Sequence, residues 1–229
     1  MYGYGFDIYY LVLVVPALLL SMWAQFRVKS TFAAYSRMPN ARGLTGADAA
    51  RILMEANNVS NVAIEGVAGS LTDHYDPRSR VLRLSRPVYA AASVAAVGVA
   101  AHETGHAIQH ARGYGPLVLR SVLVPAANIG STIGPWLAVA GIVMSFPLLL
   151  TAGIILFSGA VAFYLVTLPV EINASTRALA ALRRANVLTD DELKGARKVL
   201  AAAALTYIAS ALMALMNLVR LVLLSRRRR

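Results

Sequence analysis

The chain has no cysteine among its 229 residues. Disulfides, cysteine-ligated zinc fingers, iron–sulfur clusters and thiol nucleophiles are therefore excluded. Histidine is scarce as well, at four residues, and 11 acidic residues face 22 Lys and Arg. Any metal site has to be assembled from a few His, Asp and Glu side chains. Internal repeats and low-complexity linkers are missing, which removes solenoids and tethered tails. The net charge of +11 lies beside apolar segments and forms no basic stripe interleaved with aromatics. Nucleic acid is thus not an expected partner, whereas anionic lipid headgroups are.

Apolar sequence is what the chain has in excess, with 58% hydrophobic residues and a mean hydropathy of +0.59. Ordinary soluble domains are less apolar. A charge-free run from Ile8 to Phe26 is long enough to cross a bilayer, and Arg27 and Lys29 follow it. No basic residue precedes the run, and Trp23, Gln25 and Phe26 stand where a signal peptide would carry small residues. It reads as a retained anchor. Two further spans, about Ser121 to Ser145 and Phe146 to Leu168, form a hairpin at Pro147. Pro125, Asn128 and Pro135 predict a kink and a protein-facing side in the first of them. A fourth run, Val199 to Leu224, contains Asn217 and Arg220 and ends in "SRRRR".

Basic residues near spans favour the cytoplasmic side. "MYGYGFD" has none, while Arg27, Lys29, Arg37 and Arg42 follow the first span, and Arg177, Arg183, Arg184, Lys194, Arg197 and Lys198 follow the hairpin. The N-terminus is expected outside, with Arg27–Pro116 and Glu171–Lys198 inside. A crossing by the fourth run leaves its basic tail outside, against the rule. The alternative is an interfacial helix with Arg220 snorkelling to the headgroups; the crossing is preferred and both stay open.

The expected organisation is an anchor at 1–26, a catalytic domain at 27–116, a membrane hairpin at 117–169, a helix at 170–198 and an apolar C-terminal helix at 199–229. "LTGADAARILMEANNV" predicts a helix capped by Thr45 with Asp48 in the capping-box position. "NVAIEGV", "GSLTDHY" and "RVLRLS" are strand candidates, the last two joined by the turn "DPRS". The imperfect alternation of Leu82 and Leu84 with Arg80, Arg83 and Ser85 suits an edge strand. Val88–Ala101 is too short to span and reads as a core helix.

Immediately after that run stands His102-Glu103-Thr104-Gly105-His106, an H-E-x-x-H motif. On a helix, residues four apart lie about 40° apart around the axis and about 6 Å apart along it. Both imidazoles can therefore address one zinc ion at about 2.0–2.1 Å. Glu103 then points beside the ion, where it can take a proton from the attacking water and return it to the leaving amine. Helix geometry argues against His110 as a further ligand, because it lies about 12 Å of helix rise from His102. It reads as a residue near the helix end whose charge suits the dipole.

Catalytic zinc needs a third protein ligand and an open position. His74, Glu55, Glu65, Asp73, Asp76, Glu171 and the acids at 190–192 are eligible. Glu171 is best placed, on the predicted helix "PVEINASTRALAALRRANV" where the hairpin returns to the side of the histidines. Asp190, Asp191 and Glu192 read as the cap and first turn of "TDDELKGARKVL".

"AAHETGHAIQHARGYGPLVLRSVLVPAANIGS", "LTDHYDPRSRVLRLS", "LPVEINASTRALAAL" and "GARKVLAAAALTYIASAL" resemble the YugP-type membrane zinc metallopeptidases of bacteria. The likeness covers nearly the whole chain and is weakest in the first forty residues. It is more distantly similar to the HtpX-like peptidases, where two membrane helices separate the H-E-x-x-H helix from a glutamate ligand. The resemblance implies one zinc held by His102, His106 and Glu171, with Glu103 as general base. One departure stands out. The HtpX-like ligand opens an E-x-x-A-D motif, whereas this chain has Glu171-Ile172-Asn173-Ala174-Ser175. A carboxylate orienting a ligand imidazole is absent at Ser175, and Asn173 or Ser175 can replace it only in part.

The expected molecule is a mainly α membrane protein with about four transmembrane helices. It carries a small α+β zincin-like catalytic domain with a short antiparallel sheet and an H-E-x-x-H helix. The expected activity is a membrane-anchored zinc endopeptidase facing the cytoplasm and cutting membrane or membrane-proximal polypeptides. Membrane partner proteins or self-association are compatible with it. Substrate is expected to pair along Arg80–Ser85, with His74, Tyr75 or Tyr207 as donor to the oxyanion. One rival is a site-two-type intramembrane protease, which lacks its L-D-G motif here. The other is a non-catalytic zinc-binding scaffold, which would bind metal and cut nothing.

Overall fold

A computed structural model of the chain describes residues 7–227. The rest of the basic-free leader and the last two arginines lie outside the described residues. The chain divides into two compact units. One comprises the chain up to Gln25, Val118–Leu168 and the chain from Thr206; the other comprises Phe26–Leu117 and Pro169–Leu205.

The first unit is helical. A π-turn at Tyr10–Val14 leads into α1 (Val15–Ser36), and parts of α5 (Gly115–Val143), α6 (Pro147–Arg184) and α7 (Asp190–Arg227) complete it. These are the four described helices long and apolar enough to cross a membrane. Leu19, Trp136, Leu148 and Ile155 are exposed, as lipid-facing side chains would be. Inside, Ala138, Leu150, Phe157, Ala160, Val161, Ala214 and Leu221 pack together. Small residues set the α5–α6 seam: a Cβ added at Gly134 would stand 2.9 Å from the Phe157 amide nitrogen. Such seams let membrane helices approach backbone to backbone. Arg220 has a counter-ion within this unit. Its Nε donates to Asp7 at 2.6 Å, and its guanidinium lies 5.2 Å from the Tyr10 ring centroid.

The second unit holds α2 (Gly46–Ala56), three strands, the short α3 (Arg86–Tyr89), α4 (Val94–Ala111) and the adjoining ends of α1, α6 and α7. Thr45 caps α2 reciprocally: its hydroxyl accepts from the Asp48 amide at 3.1 Å, and Asp48 accepts from the Thr45 amide at 3.2 Å. Buried Ala49, Leu53, Val94, Val97, Ala178, Leu182, Leu193 and Ala196 join α2, α4, α6 and α7 in one core. Leu82, Leu84, Val88, Ala96 and Ala100 seat the sheet and α3 on the same α4. Helix α4 is thus buried from both sides, and it carries the motif.

Four local expectations need correction. The sheet is mixed, not antiparallel: strand order is β1 (Ala63–Val67), β3 (Val81–Ser85), β2 (His74–Asp76), with β1 parallel and β2 antiparallel to β3. "RVLRLS" is consequently the central strand, not an edge. Of the two arginines that suggested an edge, Arg83 is paired across the sheet, 3.5 Å from Glu65 and 3.4 Å from Asp76. The stretch before His74 does not extend, because Gly69 and Leu71 both take positive φ, 101° and 59°. The helical run from Val88 is interrupted. Asn40 donates to the Ala92 carbonyl at 3.0 Å, Val94 donates to that of Met38 at 2.9 Å, and Ser93 then caps α4.

The helices are also longer than the sequence divides them. Pro169 sits inside α6, so the third span and the segment carrying Glu171 are one continuous helix. Likewise α7 runs unbroken from its acidic first turn through the fourth apolar run. Thr189 and Glu192 cap it, and Glu192 Oε1 accepts from the Ala41 amide at 2.6 Å.

Candidate metal centre

Two helices of the second unit build the centre. Apolar Val94, Ala95, Ala96, Val97, Ala100 and Ala101 bury the first half of α4, which fixes its roll and turns His102 and His106 together. Glu171 comes from α6, immediately after buried Val170. The helices meet at small residues: a Cβ on Gly105 would stand 2.5 Å from the Ala174 carbonyl oxygen. Only glycine permits that approach.

Among the described residues, His102, His106 and Glu171 form the group whose donor atoms all lie within 4.8 Å of one another. Glu171 Oε2 stands 3.1 Å from His102 Nε2 and 3.4 Å from His106 Nε2. Two ligands bonded at about 2.0–2.1 Å to a tetrahedral ion are about 3.3 Å apart, so these separations fit the edges of a zinc polyhedron. All three residues are buried, and Glu171 is 2% exposed. The outer nitrogens are held as well. His102 Nδ1 meets Ser175 Oγ at 3.0 Å and His106 Nδ1 meets Gln109 Oε1 at 3.0 Å. A ring that donates its Nδ1 proton outward presents a lone pair on Nε2. A lone pair aimed at a carboxylate is unfavourable unless a proton or a metal cation lies between them. Two imidazole nitrogens and a carboxylate oxygen are a donor set that fits a divalent ion of borderline hardness.

Glu103 is 9% exposed, and no described residue hydrogen-bonds its carboxylate. No sealed side-chain oxygen among the described residues lacks a partner, so the Glu103 oxygens remain reachable by a small molecule. Its charge acts on His106. Burial pushes that imidazole's pKa down, but the Glu171 hydrogen bond and the Glu103 and Glu171 charges outweigh it and hold the pKa above its ordinary value.

The other expected residues lie elsewhere in the arrangement. His74 is exposed on β2, its Nδ1 2.9 Å from the Thr72 carbonyl, and is not in the three-residue group. Tyr75, next on β2, reaches α4: its hydroxyl lies 2.8 Å from His110 Nδ1, and burial pushes its pKa up. Tyr207 belongs to the other unit. Asp73 is occupied by the Ser85 amide and hydroxyl at 2.7 and 3.1 Å, Asp76 by Ser79 at 2.6 Å, and Asp191 by Lys194 at 2.7 Å. Sequence reasoning passed over Gln109 and Gly105. The spacing of Gln109, three residues after His106, places it on the same helix face and was a usable signal. The need for glycine at 105 depends on a helix distant in the chain and leaves no local trace.

Comparison with known proteins gives consistent findings. The family described as "Putative neutral zinc metallopeptidase" matches residues 10–226. The chain is 48% identical over 215 residues to "Putative membrane protease YugP" of Bacillus subtilis (strain 168), covering 94% of this chain and 96% of that protein. No solved structure matches it significantly.

Proposed function

The chain belongs to the neutral zinc metallopeptidase family of that description, and on this premise we propose that it is a membrane-anchored zinc endopeptidase. The observation carrying the reading is the convergence of His102, His106 and Glu171 beside Glu103, whose charge acts on His106. Zinc, when bound, supplies the Lewis acidity that polarises a peptide carbonyl and makes water nucleophilic at neutral pH. His102, His106 and Glu171 hold that ion, and Ser175 and Gln109 fix the two rings. Glu103 accepts the proton of the attacking water and delivers it to the amine leaving group.

Substrate would align on β2 instead of β3, since β2 is an edge of the sheet. The Tyr75–His110 contact ties that edge to α4 one turn beyond His106. An extended peptide adding there would gain main-chain hydrogen bonds. His74 stands on this edge, so its expected part as a donor to the carbonyl oxygen belongs with the substrate strand. The distribution of Lys and Arg supports a cytoplasmic site in a multi-pass membrane protein, and the Bacillus subtilis relative supports a bacterial source. The Asp7–Arg220 pair, which gives the far end of α7 a counter-ion just before the first helical segment, supports a crossing by α7.

The test compares wild type with Glu103→Gln, purified in detergent, by zinc content and cleavage of casein. Both proteins should hold one zinc, and cleavage should fall by at least about 10²–10⁴-fold in the variant. Full turnover by Glu103→Gln removes it as the base. Stoichiometric zinc with no wild-type cleavage of any peptide favours the non-catalytic scaffold.

A further inference from the structure

The contacts behind His106 continue well past Gln109. Gln109 is fully buried at 0% exposure and uses every polar atom of its amide. Its Nε2 donates to the Val170 carbonyl at 2.8 Å and to Asn173 Oδ1 at 3.0 Å, while its Oε1 faces His106 Nδ1 at 3.0 Å. Asn173 Oδ1 also accepts from Arg177 Nε at 2.7 Å. The Arg177 guanidinium in turn lies 5.7 Å from the Tyr114 ring centroid, within cation–π range.

The direction of every bond in this chain is fixed by two groups that cannot reverse, the Val170 carbonyl, which only accepts, and Arg177. Arginine only donates and does not lose its proton in proteins. The Asn173 atom facing Arg177 must therefore be oxygen, so the Gln109 atom facing the same oxygen must be the amide nitrogen. That leaves the Gln109 oxygen toward His106, which must answer with a proton on Nδ1. Nε2 is then the metal-facing lone pair. Reversing any link would set donor against donor or acceptor against acceptor in a buried site, at the cost of an unsatisfied polar group.

We propose that Arg177, acting through Asn173 and Gln109 and together with the Val170 carbonyl, is a positioning residue that holds the tautomer and orientation of His106 for metal binding. This rests on the metal-site reading above. The relay supports the second histidine of the motif. His102 takes its own support from Ser175 and stands outside the relay. Arg177 touches neither metal nor substrate; its charge polarises the Asn173 carbonyl, and its stacking on Tyr114 restricts where the guanidinium can go.

A double-mutant cycle on zinc affinity tests this, measured by chelator competition on the purified full chain, with metal-free melting as a check on folding. Gln109→Leu should weaken zinc by about 10–100-fold and Arg177→Met by about tenfold. The double variant should be no weaker than Gln109→Leu alone, because the relay is already cut. Arg177→Met and Ser175→Ala act on different rings and should multiply. Should Gln109→Leu fail to fold, Asn173→Ala takes its place in the cycle, with the same expectation. A double variant weaker than Gln109→Leu by the full Arg177→Met factor overturns the relay while leaving the metal site standing. A wild type that binds no zinc overturns both.

Discussion

Replacing Gly105 with Ala sets two effects against each other with opposite signs. Gly105 lies inside α4, where alanine is the better helix former by about 0.5–1 kcal/mol. Judged by propensity alone, the variant should gain stability. The packing argues the reverse. The new Cβ would stand 2.5 Å from the Ala174 carbonyl oxygen and 3.2 Å from the Ala174 Cα. Both neighbours are helix backbone and cannot rotate away, so α4 and α6 must part by at least about 0.5 Å at this point. Overpacking of this kind costs about 1–3 kcal/mol, enough to outweigh the propensity gain. The consequence at the site is sharper. Glu171 is less than one helical turn before Ala174 and stands 3.1 and 3.4 Å from the imidazoles, and the bonds of a well-formed metal site tolerate only about 0.2 Å of change. Melting of the metal-free protein and zinc affinity by chelator competition should both fall. A Gly105→Ala protein that melts higher and binds zinc like wild type would show that the helices do not meet as described.

Zinc affinity should depend on pH through His106, whose pKa in the metal-free protein is held above its ordinary 6.5. The charged ring stabilises that metal-free form fully below pH 6.5, and the contribution is lost as pH rises through the folded-state pKa. Zinc requires the neutral ring, so affinity should rise by about tenfold per pH unit below that pKa and level off above it; a flat profile across this range contradicts the assignment. Thr45→Ala should cost about 1 kcal/mol in thermal unfolding by opening the α2 capping box, with zinc affinity unchanged.

The parts legible in the sequence were those whose determinants are local. The cap of α2 needs only Thr45 and Asp48, and four long apolar helices follow from composition and length. The histidine pair needs only a helical turn. What escaped depended on partners far along the chain. Arg83 reads as an edge-strand charge until Glu65 and Asp76 are seen on either side of it. Helix α4 starts late because Met38 and Asn40, from a distant loop, take the backbone groups of Ala92 and Val94. Ser175 reads as the loss of a carboxylate, yet its hydroxyl reaches His102 at 3.0 Å. Gln109 was visible as a polar residue on the ligand face, but its meaning lies in Asn173 and Arg177, beyond an intervening hairpin.

The central claim is that one ion is gripped by His102, His106 and Glu171. Zinc-edge X-ray absorption on the loaded wild-type protein and on Glu171→Ala tests it most directly. Wild type should show two imidazoles and a carboxylate oxygen at about 2.0–2.1 Å, and the variant should lose the oxygen and most of its zinc. A wild-type spectrum without paired imidazoles, or a Glu171→Ala spectrum unchanged at full occupancy, would contradict the account.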